Sequence, residues 1–194
     1  MGKAEQIERA PSEAKRRILT AAAKLFRERG FARSTVRELA EEVGILSGSL
    51  FHHFKSKDDI LFAVMEEVIV DMDTALAAAL KTAETTDDKL RALIHNQLSF
   101  IHGPQGDATA VLVYEWNTLS PEGQSRLLER RGHFFARWQD ILEDAHAEGL
   151  IKVEPGILRQ LIHGAAVWTA NWYRPGGKMS LEQLENSILE MARR

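Results

Sequence analysis

Residues 34–57 read STVRELAEEVGILSGSLFHHFKSK, and this stretch decides the fold. Thr35 and Glu38, three positions apart, form a capping box: the Thr hydroxyl accepts from the amide of residue 38, and the Glu carboxylate reaches back to the amide of residue 35. Val36, Leu39, Ala40 and Val43 follow as an apolar stripe at helical spacing. Gly44 ends that helix in the left-handed conformation, which glycine adopts without a Cβ penalty. Ile45 and Leu46 pack the turn, and Ser47 is placed to cap a second helix over residues 48–54. Two short helices with a tight break make a helix-turn-helix, whose second helix fits the major groove of DNA.

Outward from this stretch almost every segment has helical periodicity. There is no alternating run, no Asn-Gly hairpin and no repeat of about 20–50 residues. The reading is an all-α protein with a three-helix head and a helical body. A first helix is expected over 12–29, capped by Ser12, with Ile18, Ala22, Leu25 and Phe26 inward and Gly30 as its stop. Ser56 caps the next long helix, with Asp58 and Asp59 in its first turn, where the dipole favours acids. Ile60, Leu61, Val64, Val68, Met72, Leu76 and Leu80 keep its register to about residue 83. Further helices are expected at 87–102, 107–119, 122–148, 155–174 and 181–193, separated by Gly103-Pro104-Gln105-Gly106, Ser120-Pro121, Gly149 and Arg174-Pro175-Gly176-Gly177. The chain divides into a disordered arm at 1–11, a DNA-binding head at 12–57, and a ligand-binding and dimerisation body at 58–194. No Pro or Gly interrupts 57–102, so a helix joins head to body.

The net charge of −3 conceals an asymmetry. Residues 1–57 carry 12 Lys+Arg against 7 Asp+Glu, and residues 58–194 carry 13 against 21. A basic head on an acidic body is expected where one end meets phosphates. No cysteine is present, which removes disulfides and thiol chemistry and fits a cytoplasmic protein. No run of about 18 apolar residues is long enough for a membrane span, and the N-terminus has no apolar signal core. His52-His53 is not a metal site: neighbours on a helix point about 100° apart, and no Cys or HExxH pattern accompanies them. Nor is there a nucleophile–base pairing or a phosphate loop, so the chain does not read as an enzyme.

Gly30, Phe31, Thr35, Leu39, Ala40, Gly44, Ser47, Leu50, Phe51, His53, Phe54, Lys55 and Lys57 stand in the register of the tetracycline-repressor (TetR) family of bacterial transcription regulators, which the chain resembles. The nine-helix order resembles that family's as well. The resemblance implies a homodimeric repressor on a palindromic double-stranded DNA operator. The candidate DNA contacts are Thr35, Arg37, Ser47, Ser49, Phe51, His52, His53, Lys55 and Lys57. Lys55 and Lys57 are expected at phosphates, whereas Ser47, Ser49 and His52 are expected at base edges. Phe51 replaces the family's usual Tyr, so a phosphate-reaching hydroxyl is missing; Leu50, Phe51 and Phe54 are read as mostly core.

In the body, residues 155–174 are apolar nearly all round, with Gly164, Ala165 and Ala166 permitting close approach by another helix. The family pairs its last two long helices with those of a second subunit. Glu115, inside an apolar segment, has an Arg partner, faces a cavity, or is exposed. Arg126, Arg130, His133 and Arg137 fall on one helical face, either a solvated surface or a patch for an anion. Trp172-Tyr173-Arg174-Pro175-Gly176-Gly177 is similar to a TetR subgroup that responds to acyl-CoA thioesters in fatty-acid or sterol-side-chain breakdown. The candidate ligand contacts are therefore His95, Ser99, His102, Glu115, Trp116, Arg130, Phe134, Arg137, Trp138, Trp168, Asn171 and Arg174. The expected effector is a hydrophobic compound, an acyl-CoA before a drug or aromatic compound. No cofactor or metal is expected.

Overall fold

The computed structural model describes residues 13–193. The arm expected at 1–11 and the Ser12 cap lie outside the described residues. Nine α-helices and no strands are present among the described residues. The helix α1 (Glu13–Arg29) buries Ile18, Leu19, Ala22, Leu25 and Phe26 and stops at Gly30, whose φ of 81° is left-handed. The capping box of α2 (Val36–Val43) is complete: Glu38 N donates to Thr35 Oγ1 at 3.2 Å and Thr35 N donates to Glu38 Oε2 at 2.8 Å. Gly44 ends it at φ 75°.

The next helix is shorter than its sequence reading. α3 spans Ser47–Leu50, Leu46 occupies the N-cap without a side-chain bond, and Ser47 lies inside the helix. Beyond Leu50 the backbone tightens, with His53 N donating to Leu50 O at 2.9 Å. This three-residue spacing belongs to a turn.

Ser56 caps α4 (Lys57–Leu80), which runs straight out of the head. It stops three residues before the expected end. α5 (Thr86–His102) has a second capping box, Thr85 with Asp88. α6 (Gly106–Tyr114) breaks at Glu115, and a 3-10 turn follows over Trp116–Thr118, where one helix was expected. α7 (Pro121–Ala147) is capped by Ser120. α8 (Pro155–Trp168) passes into a 3-10 turn at Thr169–Asn171, and α9 (Leu181–Arg193) closes the body.

Two apolar cores lie side by side, and α4 belongs to both. Ile60, Leu61, Val64, Met65 and Ile69 join Phe26, Leu39, Leu50 and Phe54 in the head core. Val68, Met72 and Leu76 join Leu93, Leu98, Trp138, Leu142 and Ile162 in the body core. Val111, Leu119 and Leu127 from the body complete the head core, so the head is not closed without them. This shared core ties head and body together beside the continuous α4.

Candidate functional site

The exposed face of the head is built on a short scaffold. Leu50 and Phe54 are buried and anchor α3 and its turn, while Ser47 and Ser49 are partly exposed and His52, His53 and Lys55 are exposed beside them. Phe51, expected among the core residues, is 56% exposed, because the turn rotates it away from Leu50 and Phe54. Arg37 is exposed and pairs with its helical neighbour Glu41 at 3.0 Å. The Thr35 hydroxyl is held in the capping box. Lys57 is committed inward: its Nζ donates to Phe31 O and Ser34 O, each at 2.8 Å, and lies 4.1 Å from the Phe31 ring centroid.

In the body, α4, α5, α6, the first 3-10 turn, α7 and α8 enclose a cavity of about 320 Å³. Ile69, Met72, Leu112, Val113, Phe134, Phe135 and Val167 make it apolar, and Gln97, Thr109, Asn117, Arg131 and His163 bring polar groups to it. This combination, an apolar chamber with a few placed polar groups, is how small-molecule sites are made. A second cavity of about 260 Å³ shares Thr109, Val113 and Val167 with the first and is lined by Arg27, His102, Tyr173 and Arg174. His102 Nε2 lies 2.7 Å from Thr169 Oγ1, and burial lowers its pKa.

Of the expected ligand contacts, the structure brings Trp116 and Phe134 to the larger cavity and His102 and Arg174 to the smaller one. Trp138 is wholly buried in the body core, and Trp168 is 66% exposed on the far side of α8, so neither lines a cavity. Asn171 is exposed and donates to Trp168 O. His95 pairs with Glu185 at 2.7 Å and bonds Ser99 on the outer face of α5 and α9, away from both cavities. The α7 arginines are not an open anion patch. Arg130 meets Glu66 at 3.5 Å, Arg137 meets Asp73 at 2.7 Å, and Arg126 lies 4.2 Å from the Phe62 ring, so they fasten α7 to α4. Arg131, Phe135, His163 and Gln97 were missed, because membership of a cavity depends on which helices meet. A histidine within the apolar run of α8 was the available signal.

Glu115 resolves into none of its three sequence readings. Its Oε1 accepts from Phe31 N at 3.0 Å and its Oε2 from Thr118 Oγ1 at 3.0 Å. The 3-10 turn that places Trp116 at the cavity thus also holds the end of α1, and Arg27 of α1 stacks over Tyr114. The Glu115 carboxylate links the cavity wall to the head, beside the packing of Ile69, which lines the cavity and belongs to the head core.

Residues 18–64 match a family model described as bacterial regulatory proteins of the tetR family, and residues 83–194 match one described as tetracyclin repressor-like, C-terminal domain. The HTH-type transcriptional repressor KstR2 of Mycolicibacterium smegmatis is 30% identical over 184 residues, covering 92% of this chain and 88% of its own. A solved chain described as the superantigen PfiT is 46% identical with a TM-score of 0.81, over 94% of this chain and 97% of that one. AibR in complex with isovaleryl coenzyme A and operator DNA aligns with a TM-score of 0.84 at 22% identity, over 93% and 98%. These similarities are to DNA-binding regulators, apart from the description of PfiT, and none is to an enzyme.

Proposed function

The chain belongs to the TetR family of bacterial transcription regulators, and from that premise we propose that it is a homodimeric repressor of a palindromic operator, released by an acyl-CoA or similar hydrophobic effector. The observation that carries this reading is the apolar cavity of about 320 Å³ whose wall, through Trp116 and the adjoining Glu115, reaches the end of α1. Similarity to KstR2 and to AibR, solved with isovaleryl coenzyme A and DNA, supports the repressor class and the effector class. The volume lies at the small end of the usual range of about 300–1,000 Å³ and suits a short or medium acyl group. DNA contact is assigned to Thr35, Arg37, Ser47, Ser49, Phe51, His52, His53 and Lys55, with Lys57 acting through the shape of the head.

An effector releases DNA only if it binds better to a state in which the two heads no longer fit successive grooves. The test is footprinting of the operator by the purified protein, followed by titration with acyl-CoAs of several chain lengths. Release at low acyl-CoA concentration is expected. A protected operator indifferent to every acyl-CoA refutes the effector class and leaves the repressor. The 46% identity to PfiT carries a second reading, superantigen activity, which a T-cell proliferation assay with the purified protein tests directly.

A further inference from the structure

One end of the larger cavity is rich in donors and poor in acceptors. Arg131 on α7 and Arg159 on α8 both lie over the Phe135 ring, at 5.1 and 5.2 Å from its centroid, and Arg131 also faces Trp116 at 5.4 Å. His163, one turn beyond Arg159, stands edge-on to Phe135 at 5.5 Å. Neither arginine has a carboxylate within ion-pair distance among the described residues, unlike Arg130 and Arg137 on the neighbouring face of α7. Arg159 Nε, His163 Nδ1 and, behind His163, the indole Nε1 of fully buried Trp138 have no hydrogen-bond partner; nor has Oε1 of Gln97 on α5. A buried polar group without a partner is costly, and two unpaired guanidiniums near one another also repel. Burial and then Arg159 lower the Arg131 pKa. Burial, Arg131 and Arg159 together push His163 down to about 4.

We propose that Arg131, Arg159 and His163 form an anion site at the α7–α8 mouth of the cavity, holding the carboxylate or phosphate end of an effector whose apolar part lies against Met72, Leu112, Phe134 and Val167. The inference rests on reading the body as an effector-binding domain. Arg131, Phe135 and His163 are shared between the cavity and a surface groove of about 520 Å³ that also contains Arg159. The anion therefore sits where the chamber opens to solvent, and the ligand enters between α7 and α8. Guanidiniums suit either oxyanion, because their paired N–H groups match carboxylate and phosphate geometry.

The test uses three probes with one chain: octanoyl-CoA, octanoate and 1-octanol. Binding is measured by calorimetry on the full-length protein and on Arg131→Met, Arg159→Met and Arg159→Lys. Arg137→Met serves as the surface-charge control, and helical circular dichroism confirms that each variant is folded. At least one charged probe is expected to bind about tenfold more tightly than octanol, and salt should weaken it. Each Met variant should lose about that factor for the charged probe alone, while Arg159→Lys keeps part of it. Preference for octanoyl-CoA identifies phosphate as the anion, and preference for octanoate identifies carboxylate. Charged probes that bind no better than octanol, or Met variants that bind them normally, overturn the site. A Met variant that shifts only the dimer equilibrium also overturns it, since the arginines then serve the partner subunit. Operator release by octanoyl-CoA that is unchanged in the Met variants leaves the effector class standing without the anion site. Octanoate binding lost in the variants, with no response to octanoyl-CoA, does the reverse.

Discussion

At the residue scale, two lysines separated by one serine do different work. Lys57 bridges two carbonyls of the α1–α2 turn and covers the Phe31 ring, whereas Lys55 is exposed. Lys57→Met should therefore cost stability, about 2 kcal/mol for two charged hydrogen bonds, seen as a lower denaturation midpoint. Lys55→Ala should leave the midpoint unchanged and reduce the salt slope of DNA binding by about 1. If Lys57→Met denatures like the wild type, its inward bonds do not hold the turn. His163 supplies a pH dependence. Its folded-state value of about 4 lies below the ordinary 6.5, so the unfolded chain takes up a proton first as pH falls. The stability present above pH 6.5 is then lost progressively as the pH falls toward 4. His163→Gln should flatten that limb in melting curves recorded without ligand. An identical limb in the variant would assign it to other groups.

At the element scale, the break between α6 and its 3-10 turn is the junction that matters. α4 joins head to body, as its unbroken sequence predicts, and spans both cores, which makes it one route for motion between them. The carboxylate of Glu115 makes a second, shorter route, from Trp116 at the cavity to the Phe31 amide. Glu115→Ala should leave effector affinity within about twofold, since the side chain does not line the chamber, but should cut the effector-induced change in operator affinity. Calorimetry and gel-shift titration on the same preparation separate the two. An undiminished change in operator affinity would return the role to α4 alone. Glu115→Gln keeps an acceptor for Phe31 and should behave more like the wild type.

At the scale of the whole molecule, α8 shows what the single chain leaves uncovered. Leu158, Ile162 and Ala166 are buried in the body, while Ile157, Leu161 and Trp168 stand exposed along the other face, with Trp172 exposed just beyond the turn that follows. The apolar character read all round this helix is therefore covered on one side within the protomer. Leu161 is 53% exposed, so Leu161→Glu should give a folded monomer in analytical ultracentrifugation with operator affinity lost. Ile188 belongs to the body core, and Ile188→Glu should unfold the protein, because an unpaired buried charge costs several kcal/mol. A dimeric Leu161→Glu protein would place the interface elsewhere.

The Thr35–Glu38 capping box, the Gly44 stop and the inward stripe of α1 were legible in the sequence, because each depends on neighbours along one helix, whereas the exposure of Phe51 and the entry of Val111, Leu119 and Leu127 into the head core were not. The family followed from the same local signals. What escaped depends on neighbours far apart in the chain. The face of α7 that the sequence left as a solvated surface or an anion patch is neutralised by Glu66 and Asp73 of α4, and Arg131, which has no acid partner among the described residues, lies one residue beyond Arg130. One residue on a helix is about 100° of rotation, enough to move a guanidinium from an ion pair on α4 to the mouth of a cavity. Local chemistry determined the helices and most of their caps, the short α3 with its misplaced Ser47 cap being the exception, while helix packing decided which charges are satisfied and which remain for a ligand.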